Sequence, residues 1–115
     1  MLHSKNVNIT TTTPTEIFQV PDGFVIYLSY VYLKNKDSAA NNCTLYITNA
    51  SDSTSVHLLS GQDIDPDQSV EFHEGAFVMY KDDALKVETA SAGDVDVSCT
   101  FDIVEASAVL RNFNR

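Results

Sequence analysis

The sequence has no tryptophan, three prolines, four glycines and two cysteines in 115 residues. Each shortage removes a class of protein. Cys43 and Cys99 lie far apart with no Cys-x-x-Cys spacing, whereas a zinc cluster needs several ligands close together. Four glycines leave no glycine-rich phosphate loop, and no nucleotide-binding pattern is present. Basic residues are scarce as well. Seven Lys and Arg stand against sixteen Asp and Glu, for a net charge of -9. A phosphate backbone is gripped mainly through Lys and Arg, so neither nucleic acid nor an anionic membrane is an expected partner. The longest apolar run, residues 24–33, contains Ser29 and falls well short of the roughly 20 residues a spanning helix needs. Residues 1–6 lack the apolar core of a signal peptide, so synthesis in a cytoplasm is expected.

What is present is a core and a strand pattern. The chain is 43% apolar and 20% charged, the balance of a folded globule, and its length fits a single domain spanning residues 1–115. Apolar and polar residues alternate with period two, broken by turn residues roughly every 8–12 positions. This reads as short strands over residues 7–10, 16–20, 24–34, 43–48, 54–59, 69–72, 76–80, 85–89 and 95–105, with 60–68 as an acidic loop. Residues 69–72 and 76–80 flank Glu74-Gly75 and read as a hairpin. Residues 1–13 form an N-terminal arm with the first strand, and 106–115 a C-terminal arm. Val95, Val97, Cys99, Phe101 and Ile103 share one face of the last strand, and Cys43, Leu45 and Ile47 share a face of another. Eight to nine short strands need two packed faces, so the expected fold is an all-β antiparallel β-sandwich, jelly-roll or immunoglobulin-like.

Few constellations point to chemistry. Both cysteines fall on core faces. An inter-sheet disulfide would fit that placement, but the tryptophan that packs on it in immunoglobulin domains is missing, so two reduced core thiols are expected. Asp63, Asp65 and Asp67 alternate along the acidic loop, with Glu74 at the twelfth position from Asp63, the skeleton of a calcium loop. The glycine that loop needs in sixth place is Gln68, and Pro66 interrupts it. Asp63, Asp65, Asp67 and Glu74 are therefore only a weak metal candidate, and no cofactor is expected. His3, His57 and His73 are scattered, with no nucleophile and orienting group converging on any of them, so no enzyme activity is expected. Three Asn-x-Ser/Thr matches at Asn8, Asn42 and Asn49 read as chance in an Asn- and Thr-rich chain.

The strand at residues 24–33 is the exception to alternation. Phe24, Ile26, Leu28, Tyr30 and Tyr32 take one face, and Val25, Tyr27, Val31 and Leu33 the other. A sandwich covers one face of each sheet, so the second face needs a cover. Tyr27, Val31 and Leu33, with Val109, Leu110 and Phe113 of the C-terminal arm, are the expected interface residues. The cover is the chain's own arm or a neighbouring copy.

The run Thr12-Thr13-Pro14-Thr15-Glu16-Ile17-Phe18-Gln19-Val20-Pro21-Asp22-Gly23 resembles the opening of small tailed-bacteriophage virion proteins. There a Thr-rich strand, an Ile-Tyr/Phe-x-Val-Pro-x-Gly strand and a long apolar strand follow one another. Leu45-Tyr46-Ile47, Ile64-Asp65-Pro66-Asp67-Gln68-Ser69, Lys81-Asp82-Asp83-Ala84-Leu85-Lys86-Val87 and Val95-Asp96-Val97-Ser98 are similar to later pieces. The family's Pro-Gly is Pro66-Asp67 here, and its Gly-Asp is Asp82-Asp83. The resemblance covers about residues 7–105 as a pattern of turns and strands. It implies a virion structural protein with a β-sandwich fold and no catalytic residues. Taken with the uncovered strand face, the expected protein is a homo-oligomer contacting portal or connector, tail or major capsid proteins. Its place would be the head–tail neck, the tail or the capsid surface. The other reading is a carbohydrate- or calcium-binding β-sandwich, as in an adhesin or tail-fibre module, with tyrosines standing in for the absent tryptophan.

Overall fold

The computed structural model describes residues 2–73 and 77–107. They form nine strands: β1 (Leu2–Ile9), β2 (Thr15–Gln19), β3 (Phe24–Asn35), β4 (Asn41–Asn49), β5 (Thr54–Ile64), β6 (Ser69–Phe72), β7 (Phe77–Met79), β8 (Ala84–Thr89) and β9 (Val95–Glu105). One sheet has the order β1-β9-β3-β6, with β7 also on β3, and the other β2-β8-β4-β5. Every pairing is antiparallel. The protein is an all-β sandwich.

The chain crosses between sheets at every connection but those from β4 to β5 and from β6 to β7, and among the described strands only β4 and β5 are consecutive and paired with each other. With β6 and β7 sharing one position on β3, two layers of four positions linked in this order are a jelly roll, which decides between the two sandwich types the sequence left open. The inner faces supply the core. Ile26, Leu28, Val31, Leu33, Val95, Val97 and Cys99 of the first sheet meet Ile17, Cys43, Leu45, Ile47, Leu85 and Val87 of the second. Cys43 and Cys99 are both buried and unbonded.

The long strand departs from the sequence expectation for a local reason. β3 pairs with β9 in register on both sides of Ser29, but Leu28 faces Phe101 and Tyr30 faces Thr100, so Ser29 is an extra residue. Its hydroxyl donates to the Thr100 carbonyl at 3.2 Å. An extra residue flips the alternation beyond it. Ile26 and Leu28 point inward, and so do Val31 and Leu33, both 0% exposed. Val31 and Leu33 are core residues, not part of an outer face awaiting a cover. The same bulge brings Tyr27, Tyr30 and Tyr32 onto one face, the outer one.

The expected hairpin at residues 69–80 is also corrected. β6 pairs with β3 at residues 31–34, and β7 pairs with β3 at residues 26–28. The two run along the same strand in the same direction and form one interrupted edge. Glu74 and Gly75 lie outside the described residues, as do Val109, Leu110 and Phe113. The acidic loop is shorter than its composition implied, because β5 continues through Gly61 (φ 58) to Ile64.

Buried polar side chains tie the loops to the sandwich. Asn35 Nδ2 donates to the carbonyls of Ala39 (2.8 Å) and Ile64 (3.0 Å), and its Oδ1 accepts from Asp37 N–H. Asn41 both donates to and accepts from the backbone of Ser91. Asp83 accepts from the N–H groups of Ala50 and Tyr80, each at 2.9 Å. These bonds hold loop backbone groups against buried side chains of the sandwich.

Candidate functional site

Pairing across β1, β9, β3 and β6 lays the outer side chains of the first sheet in transverse rows. One row is Asn6, Ser98, Tyr32 and Glu71, and the next is Asn8, Asp96, Lys34 and Ser69. Farther along lie Ser4, Thr100 and Tyr30, then Leu2, Asp102, Tyr27 and Val78. The amides and Lys34 lie toward one end and Leu2, Tyr27 and Val78 toward the other, with carboxylates at both.

The polar end is a built network. Asn8 Nδ2 donates to Asp94 Oδ1 (2.6 Å) and Asp96 Oδ1 (2.8 Å). Lys36 Nζ lies 3.1 Å from Asp96 Oδ2 and 3.6 Å from Asp94 Oδ1. Ser98 Oγ donates to Asn6 Oδ1 at 2.6 Å. The Asn8 amide, with Lys36 behind it, holds the Asp96 carboxyl below its ordinary range. Asp96 and Asp94 in turn push the Lys36 ammonium up. A shallow groove of about 420 Å³ opens here, lined by Asn6, Asn8, Tyr32, Asp96 and Ser98 with the backbone of β1 and β9 beneath. Next to it, burial and the neighbouring Glu71 carboxylate raise the Tyr30 phenol.

The residues singled out in the sequence are dispersed. Asp63 accepts from Asn42 Nδ2 at 2.8 Å on β5, while Asp67 sits in the β5–β6 turn 3.3 Å from Lys34 Nζ. Among the described residues no group of three His, Cys, Asp or Glu side chains gathers around a metal-sized space. His57 Nδ1 is 3.4 Å from Ser60 Oγ on the exposed second-sheet edge, and its ring packs on Tyr46 at 5.5 Å. Tyr27 is half-buried on the outer face with Tyr30 and Tyr32. No described helix is long and apolar enough to cross a membrane.

Asn6, Asn8, Asp94 and Ser98 escaped the sequence reading. The outward set of β9 was visible in its alternation. Its partners were not, because they sit at the other end of the chain.

No family model matches the chain, and no curated protein matches it in sequence. Solved structures resemble it in fold. The acid-stable capsid structure of Helicobacter pylori bacteriophage KHP30 contains a chain that superposes with a TM-score of 0.58 at 8% identity, over 91% of this chain and 92% of that one. A chain from Bacillus endospore appendages, described as disulfide-linked pili, superposes at 0.55 with 16% identity over 90% and 88%. The SPBc2 prophage-derived protein YomS is a looser likeness, at 0.46 with 15% identity over 90% and 96%. At these identities the likeness concerns the fold.

Proposed function

We propose that this chain is a non-enzymatic bacteriophage virion structural protein, made in the host cytoplasm and built into the particle. It would sit at the head–tail neck, on the tail or on the capsid surface. It acts by binding copies of itself and other virion proteins such as portal or connector, tail or major capsid protein. The observation that carries this reading is the jelly-roll sandwich, a fold shared with a phage capsid chain, in a sequence that resembles small virion proteins. Two details of the backbone support the resemblance. Asp67 and Asp82 stand where those proteins carry glycine, and both have positive φ, 62° and 69°, the conformation that glycine serves. Electron microscopy of the source particle, with the protein labelled, tests the proposal. The expected result is a ring or lattice of copies, and a particle without the protein would refute it.

The second reading, a carbohydrate-binding adhesin or tail-fibre module, has the outer-face groove in its favour. Tyr32 offers an aromatic wall beside fixed amide, hydroxyl and carboxylate groups, the kinds of group that sugar hydroxyls bond. Label at a distal tip, together with binding on a glycan array, would favour it over the first.

A further inference from the structure

Among the described residues the sandwich has four free sheet edges, and three are irregular. β2 carries an extra residue between Glu16 and Phe18. β5 shifts register twice against β4, between Cys43 and Leu45 and between Leu45 and Tyr46. β6 and β7 meet β3 in different registers, Val31 opposite Phe72 but Leu28 opposite Phe77. β1 alone is regular: all eight of its residues pair with β9 without a shift. Bulges and breaks are how proteins stop sheet edges from pairing with other chains. Among the described residues, nothing pairs with the outer edge of β1, and residues 2–6 are exposed, with Leu2 at 70%.

From this asymmetry we infer that β1 is an assembly edge and that its occupant is β1 of a second copy of the chain, paired antiparallel about a two-fold axis. The inference goes beyond the virion reading and does not depend on it. Charge favours a second copy at this place. Each chain carries a net -9, so two copies repel over most of their surface. β1 (Leu-His-Ser-Lys-Asn-Val-Asn-Ile) holds no carboxylate, whereas the edges formed by β2, β5 and β6 hold Glu16, Asp63 and Glu71. Symmetry points the same way. With one competent edge per chain, self-pairing closes at two copies and cannot propagate as an open sheet.

The register follows from the pleat. Opposite residues of neighbouring strands share a face, so even residues of β1 face even residues of the second copy. Two registers keep most of the strand paired. One sets Lys5 against its own counterpart, and like charges directly opposite are unfavourable. The other sets Asn6 against its counterpart and Lys5 against Val7. We take the second. Asn6 then lies on the axis, with its Cα roughly 4.5–5.5 Å from its counterpart, within disulfide reach.

The test uses the full chain. Sedimentation equilibrium up to roughly 0.5 mM should give a weak monomer–dimer equilibrium, since an eight-residue edge is a small interface. Asn6→Asp is nearly isosteric and keeps an acceptor for Ser98 Oγ, but it places two carboxylates together on the axis. It should weaken the dimer by roughly tenfold or more with an unchanged thermal melt. Asn6→Cys should cross-link to itself under mild oxidation in the folded state, and Leu2→Cys should not. A monomer throughout that range, a trimer or larger ring, a dimer indifferent to Asn6→Asp, or no Asn6→Cys cross-link would each overturn the proposal. Incorporation into a particle is a separate readout, so the virion reading can fail while this one stands, and the reverse.

Discussion

Asp82 occupies the left-handed region with φ 69°, as do Asp67 and Ser53. Side chains with a Cβ pay for that conformation, and aspartate is among the less penalised. Asp82→Gly should therefore raise stability by about 0.5 kcal/mol, and Asp82→Val should lower it by about 1–2 kcal/mol. Urea denaturation of the pair checks both signs. At the cysteines the decisive quantity is burial, which pushes both thiols from 9.0 up to about 11. In the folded chain the protonated thiol is favoured. Above pH 9 the unfolded chain releases these protons first, so stability falls as pH rises from about 9 to about 11. Cys43→Ala and Cys99→Ala should each flatten that fall. A thiol reagent at pH 8 should be slow with the native protein and count two thiols in denaturant without reductant. Finding none would mean a disulfide.

At the scale of the element, β3 shows what a single residue does to a strand. Ser29 shifts the phase so that two apolar half-strands, out of step in sequence, both point inward. Val31→Asp would bury an unpaired carboxylate in the core, which costs several kcal/mol, enough to unfold a domain of ordinary stability. Tyr27→Asp, on the half-buried outer face, should leave the chain folded. Circular dichroism of the two variants separates core from surface. Deleting Ser29 should be far milder than Val31→Asp, because it removes the extra residue: Leu28 and Tyr30 become successive positions opposite Phe101 and Thr100, and Val31 and Leu33 still point inward. The pattern at residues 24–33 was legible as an anomaly, and a missing cover was one explanation of it. The bulge is the other, and only the pairing with β9 distinguishes them. β6 and β7 are a similar case. Two short strands with a turn between them read as a hairpin, yet both find β3, whose length holds them end to end.

For the whole molecule, charge and edges work together. A chain at -9 repels its copies, and salt removes that repulsion: the screening length falls from about 10 Å at 0.1 M to about 3 Å at 1 M. Self-association through the carboxylate-free edge should therefore strengthen as salt is raised across that range. Weakening would mean that an attraction between opposite charges, and not β1 backbone pairing, holds the copies. Light scattering over a salt series decides between the two.

The sequence by itself determined the fold class, because period-two alternation reports which side chains face a core whatever the partner strand. It located seven of the strands to within about two residues, missed the first half of β1 and the last half of β5, and named the core faces of β4 and β9 correctly. It also placed both cysteines inside, since their neighbours at two-residue spacing are apolar. Tertiary structure decided everything that depends on which strands meet. Jelly-roll order, the Ser29 bulge and the single regular edge are properties of pairings between distant segments. So is the Asn6–Asn8–Asp94–Asp96–Ser98 network, whose two halves lie at opposite ends of the chain and meet only because β1 lies against β9. Local periodicity carries the direction of a side chain, whereas its neighbours are set by hydrogen-bond ladders that no local pattern encodes.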